Sequence, residues 1–115
     1  MRDISDILTH YGEERKRYFS AVSPPIIQTS NFVFDSIEEF RMNILNEEHA
    51  HVYTRGNNPT VEILCTKLAA LEHTEKALVT SSGAAAIACA VTAPVAAGDQ
   101  VVCLRTPYSW TLRVI

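Results

Sequence analysis

The sequence predicts an α/β fold: an N-terminal arm and helices, then a parallel strand–helix–strand unit whose sheet is incomplete within this chain. Three observations carry that expectation. Two short apolar segments, residues 76 to 80 and 100 to 104, flank an alanine-rich stretch. Helix-start signatures precede apolar residues of helical period. A proline pair near residue 24 forces extended backbone ahead of them.

Ile4, Ile7, Leu8 and Tyr11 recur at helical spacing, so a short amphipathic helix is expected over residues 3 to 17. Ser23-Pro24-Pro25-Ile26-Ile27-Gln28-Thr29-Ser30 reads as an arm or linker. Ser36 and Glu39 form a capping box ahead of Ile37, Phe40 and Ile44, predicting a helix from about 36 to 47. Residues 48 to 58 have no period and read as a loop. Asn58-Pro59 opens the next helix, because Asn caps and the proline's missing N–H would be unpaired there anyway. Val61, Leu64, Leu68 and Leu71 mark its expected buried stripe, and it should end near His73.

A strand over 76 to 80, the turn Ser81-Ser82-Gly83, a helix over about 84 to 93, the turn Gly98-Asp99 and a strand over 100 to 104 follow. Strands joined by a helix are parallel with a right-handed crossover. Parallel sheets are normally buried on both faces, and two strands cannot achieve that. The closing residues, Trp110 to Ile115, are apolar and carry no stop signal. The expectation is the front part of a larger α/β protein; the alternative is a small α+β domain.

Bulk properties bound the function. The chain has 115 residues, one domain at most, with net charge −3, 47% hydrophobic and 20% charged residues. Its densest basic run, Arg15-Lys16-Arg17, follows Glu13-Glu14, which argues against nucleic-acid binding. No signal peptide is visible in residues 1 to 10, and the longest apolar run, 84 to 91, is too short to span a bilayer. Cys65, Cys89 and Cys103 lack C-x-x-C pairing, so a reducing, cytoplasmic setting fits best. Cys89 and Cys103 sit in apolar runs and are expected to be buried thiols. His49-x-His51 lacks a completing ligand set, so no metal site is expected.

Three places offer chemistry. At Ser81-Ser82-Gly83-Ala84 a strand leads into a helix. Unpaired N–H groups and the helix dipole make such a start an anion site, and glycine admits close approach. The two common nucleotide fingerprints are absent, and an ordinary tight turn is the competing reading. Tyr53-x-Arg55 lies in the unpatterned loop; arginine binds phosphate bidentately and tyrosine adds a hydroxyl, against the plainer reading of two solvated residues. Tyr108 follows the second strand, at the end where ligands bind in open α/β sheets, and could stack on a planar cofactor or be an edge aromatic.

Together these segments resemble a known family. "YTRGNNPTVEILCTKLAALE", "SSGAAAIA" and "PYSWT" occur in the order and at about the spacing of the Cys/Met-metabolism enzymes, and "VSPPIIQTSNFVF" is similar to that family's N-terminal arm. The resemblance covers about residues 22 to 112. It implies a pyridoxal 5'-phosphate (PLP) enzyme of fold type I in sulfur amino-acid metabolism, of the cystathionine synthase, sulfhydrylase or lyase kind. Tyr53 and Arg55 would grip the cofactor phosphate across a subunit interface, in a homodimer or homotetramer. The N–H groups of Gly83 and Ala84 would hold the phosphate of the chain's own cofactor, and Tyr108 would stack on the pyridine ring. Residues 1–58 would form the arm, helix and inter-subunit cofactor loop, and 59–115 the first part of the PLP-binding large domain. The substrate would be a small amino acid, with no nucleic-acid or membrane partner.

Two departures stand out. Asn57 replaces the usual glycine before Asn-Pro-Thr, a mild change because Asn tolerates left-handed backbone. Ser109-Trp110 replaces Gly-Gly or Gly-Cys after the tyrosine, which bears on substrate choice. A PLP enzyme also needs a Schiff-base lysine and an acid beside the pyridine nitrogen. The family carries both beyond residue 115, and Lys16, Lys67 and Lys76 are not suited to the role, so the isolated chain is expected to be inactive. Two other readings stand beside this one: a non-catalytic binding or assembly partner derived from such an enzyme, and an unrelated phosphate-binding α/β domain.

Overall fold

The computed structural model describes residues 3–114. Met1, Arg2 and Ile115, which entered the readings of the N-terminus and of the closing apolar residues, lie outside the described residues. The chain forms two compact units, Met1–Ala77 and Leu78–Ile115.

The first unit holds helices α1 (Ile4–Thr9), α2 (Ile37–Ile44) and α3 (Pro59–Leu71), with 3₁₀ turns at Arg15–Tyr18 and Glu47–His49. The continuous helix expected over 3 to 17 is broken. Gly12 takes φ +76° and Glu14 φ +38°, both left-handed, and the chain reverses there. The cause is tertiary: a Cβ on Gly12 would stand 3.0 Å from Thr66 Cγ2, so the turn lies directly on α3. α1 packs against α3. Ile7 and Ala69, 4% and 7% exposed, form the small apolar core of this unit.

The helix starts follow the sequence closely. Ser36 Oγ accepts from Glu39 N at 3.0 Å, and Glu39 reaches back to Asp35 N at 2.8 Å, one residue earlier than a standard capping box. Phe40 turns back onto Phe34, with ring centroids 5.5 Å apart. Asn58 Oδ1 accepts from Thr60 N at 2.9 Å, with Pro59 at the first helical position. At the other end His73 takes φ +55°, and Thr74 N donates to Ala69 O at 2.9 Å. This left-handed residue with its wide backbone bond stops the helix. The stripe Val61, Leu64 and Leu68 is not buried, being 43%, 46% and 36% exposed. The face of α3 that meets Gly12 carries Ile63 and Thr66 instead.

The second unit contains α4 (Gly83–Thr92) and α5 (Thr111–Val114), which pack on each other. The parallel strand–helix–strand unit is not formed: among the described residues there is no strand, and the only pairing is an isolated antiparallel bridge between Asn31 and Tyr53. The physical reason is cover. Leu78, Val102 and Leu104 are 89%, 94% and 80% exposed, and a parallel strand without neighbours or packed faces leaves its backbone groups unpaired. The same absence of cover corrects the cysteines: Cys89 and Cys103 are exposed rather than buried, and Cys65 is half-buried. Among the described residues no helix is long and apolar enough to cross a membrane.

Candidate functional site

In the first unit the arm is fastened to the loop that carries Tyr53 and Arg55. Phe32 N donates to Val52 O at 3.3 Å and Thr54 N to Ser30 O at 2.9 Å, on either side of the Asn31–Tyr53 bridge. The Thr54 hydroxyl donates to Thr29 O. Beyond the bridge the chain turns tightly, with the N–H groups of Gly56 and Asn57 both bonded to Tyr53 O, at 2.9 and 3.2 Å. The turn folds Arg55 back so that its guanidinium lies 5.0 Å from the centroid of the Tyr53 ring, a cation–π contact. Both side chains are exposed, and among the described residues no carboxylate pairs with Arg55. A planar five-donor cation beside a phenol hydroxyl, open to solvent, is suited to an anionic oxygen group.

In the second unit Ser82 caps α4, its Oγ accepting from Ala85 N at 3.2 Å while its carbonyl accepts from Ala86 N at 3.0 Å. The N–H groups of Gly83 and Ala84, first in the helix, have no helical acceptor and point out of its end. Gly83 faces open space, since a Cβ there would meet nothing within 4 Å. Tyr108 precedes α5, its carbonyl accepting from Thr111 N at 2.9 Å, and its side chain is 60% exposed. The five residues singled out from sequence therefore fall into two groups, Tyr53 with Arg55 in one unit and Gly83, Ala84 and Tyr108 in the other. Taken separately, each group offers donors suited to an anionic oxygen group such as a cofactor phosphate: the guanidinium of Arg55 in the first unit, and the helix-start N–H groups beside free space in the second.

His49 and His51 have local partners. His51 Nε2 lies 2.9 Å from Glu62 Oε2, and its ring packs 5.5 Å from Phe32; His49 lies 3.2 Å from Glu48. Among the described residues no three His, Cys, Asp or Glu side chains cluster as metal ligands would.

One charged group that the sequence did not single out is Glu13. It is 6% exposed and accepts from Lys67 Nζ at 2.7 Å and from Arg15 Nη2 and Nε at 2.8 and 3.0 Å. The Lys67 hydrogen bond, with help from Arg15, holds its carboxyl below the usual range despite the opposing effect of burial. Lys67 also donates to Leu8 O at 2.7 Å, so it ties α3 both to α1 and to the turn that holds Glu13. No periodicity announces such a pair. Asn58 was legible as a helix cap, but its contacts to the arm were not.

The profile of the Cys/Met metabolism PLP-dependent enzymes matches residues 5–115. Among curated proteins, an L-methionine gamma-lyase of Fusobacterium nucleatum subsp. polymorphum is 41% identical over 100 residues, 87% of this chain and 25% of that protein. An L-methionine gamma-lyase of Treponema denticola is 39% identical over 106 residues, 92% of this chain and 26% of its own length. An O-acetyl-L-homoserine sulfhydrylase of Corynebacterium glutamicum is 38% identical over 102 residues, 89% and 23%. The chain thus spans about a quarter of the length of the curated relatives it matches.

Proposed function

Because this chain belongs to the Cys/Met metabolism family of PLP-dependent enzymes, we propose that it supplies the cofactor-phosphate and ring contacts of a lyase or transferase acting on sulfur amino acids or activated homoserine. The observation that carries the reading is the unpaired Arg55 stacked on Tyr53 in an exposed, arm-braced loop. When bound, PLP supplies the electron sink for elimination or replacement at the β or γ carbon. Tyr53 and Arg55 bind its phosphate in a neighbouring subunit's site, within a homodimer or homotetramer. Gly83 and Ala84 N–H groups hold the phosphate of the chain's own site, and Tyr108 covers the ring. In this reading the arm, α2 and loop of residues 1–58 serve the interface, residues 59–115 begin the large domain, and the setting is cytoplasmic.

The chain alone is inactive in this proposal. Lys67 is taken up by its bonds to Glu13 and to Leu8 O, and in this proposal it does not bond the cofactor. The exposed stripe Val61, Leu64 and Leu68 supports association with further polypeptide, since apolar surface of this kind marks interaction sites.

Titrating the chain with PLP and with inorganic phosphate tests the proposal. The expected result is reversible PLP binding, competed by phosphate and weakened by Arg55→Ala, with no turnover of methionine or O-acetylhomoserine. Turnover would overturn the claim of inactivity. Affinity untouched by Arg55→Ala would overturn the site. Mixing with a complete relative separates this reading from that of a non-catalytic assembly partner, which requires stable hetero-oligomers.

A further inference from the structure

We infer that Asn58 is a positioning residue: its carboxamide clamps the N-terminal arm to the Tyr53–Arg55 loop, and capping α3 is only half of its task. Asn58 is 3% exposed, among the most buried polar side chains described. Its Oδ1 caps α3 through Thr60 N at 2.9 Å. Its Nδ2 does something a cap does not need: it donates to Ile27 O on the arm at 3.0 Å and to Thr54 Oγ1 in the loop at 3.1 Å. The Thr54 hydroxyl passes the chain of donors on to Thr29 O. Thr60 completes the joint, its hydroxyl accepting from Ile27 N at 2.9 Å.

The loop, the start of α3 and an arm residue 31 positions away therefore meet on one amide. Both of its donors and its oxygen are used, so removing a partner leaves a buried group unpaired. Thr54 sits directly between Tyr53 and Arg55. Fixing its side chain to the arm on one side and to the start of α3 on the other fixes the bridge that aims both. The consequence for ligand binding rests on the phosphate-gripping role proposed above; the clamp itself does not.

Asn58→Asp on the full 115-residue chain separates the two tasks. Aspartate caps helices as well as asparagine does, but it cannot donate to Ile27 O or Thr54 Oγ1. The expected result is unchanged protection of the Glu62 amide in the first turn of α3. Amide exchange at Phe32 and Thr54 accelerates about tenfold. The Arg55 side-chain resonances, displaced by the Tyr53 ring current, move toward those of free arginine. Unchanged exchange at Phe32 and Thr54 would overturn the clamp and leave Asn58 a cap. If the substitution loosens α3 as well, Thr54→Val, which leaves the cap intact, decides by the same amides.

PLP affinity supplies the second readout. A drop comparable to that of Arg55→Ala supports positioning; unchanged affinity, in a chain where Arg55→Ala does weaken binding, overturns it. If Arg55→Ala itself has no effect, the phosphate reading falls and the exchange data alone judge the clamp.

Discussion

Lys67 Nζ lies 2.7 Å from Glu13 Oε1, across 54 positions of sequence, and this ion pair joins α3 to the turn that follows α1. Arg15 holds the other carboxylate oxygen at 2.8 Å, so one nearly buried acid gathers two cations. It adds a polar tie between these elements to the small apolar core of the unit.

The pair makes stability depend on pH in one direction. The Glu13 carboxyl titrates lower in the folded chain than in the unfolded one. Its contribution is therefore complete above the ordinary carboxylate range and lost as pH falls below it, through the depressed folded value. Urea unfolding of the chain followed from neutral pH downward should show this acid loss. Glu13→Gln should flatten it and cost on the order of 1 kcal/mol at neutral pH, because Lys67 loses its charged partner. An acid limb identical in the two proteins would mean that other carboxylates govern it.

Gly12 lies in the turn after α1, where the chain meets α3. At φ +76°, with its absent Cβ 3.0 Å from Thr66 Cγ2, Gly12→Ala combines left-handed strain with a clash. A loss of about 1–3 kcal/mol is expected in the urea midpoint. Thr66→Ser removes the nearer clashing atom, the methyl, and leaves Thr66 Cβ at 3.3 Å, so the double variant should recover part of the steric cost and retain the backbone part. No recovery would show that the strain lies wholly in the dihedral angle.

What was legible in the sequence was local. Ser36, Asn58-Pro59 and Ser82 each announce a helix start because cap chemistry needs only the next three residues, and all three caps are formed. What failed depends on distant partners. Residues 76 to 80 and 100 to 104 have the composition of buried strands, but a strand exists only with a neighbour, and within the described residues they have none. Val61, Leu64 and Leu68 have the period of a buried stripe, yet periodicity says which residues share a face and not whether anything covers it. The left-handed turn at Gly12 overrode the helical spacing of Ile4, Ile7, Leu8 and Tyr11, because contact with α3 fixes it. At the candidate site the residue types were readable from Tyr53-x-Arg55 and Ser-Ser-Gly-Ala. The brace behind the first pair was not, since it runs through Ile27, Thr29 and Ser30 on the arm.

Gly83 separates a folding role from a binding role. Its α-carbon faces open space at the first position of α4, with no positive φ to preserve. Gly83→Ala should therefore be neutral or raise α4 helicity slightly, by about 0.5–1 kcal/mol. In the proposed function the same methyl enters the space where the phosphate approaches the N–H groups, so PLP affinity should fall. Far-ultraviolet ellipticity and PLP titration of one variant read both effects. Lost helicity would mean that the glycine serves the fold, and unchanged affinity that no ligand approaches there.

Arg55→Lys keeps the charge and removes the fork. Lysine offers a point charge on a flexible stem, without the planar pair of donors that matches two phosphate oxygens, and it stacks less well on the Tyr53 ring. If Arg55 binds phosphate bidentately, the lysine variant should lose about tenfold in affinity for PLP, most of what Arg55→Ala loses. Tyr53→Phe should lose less, because the ring that supports the guanidinium 5.0 Å away is retained and only the hydroxyl goes. Raising the salt concentration should erode the lysine variant's residual binding faster than the native chain's, since an exposed point charge is the more readily screened. Equal affinity of the arginine and lysine forms would mean that charge alone is used at this position. The stacked, arm-braced geometry of Tyr53 and Arg55 would then serve the loop and not the ligand.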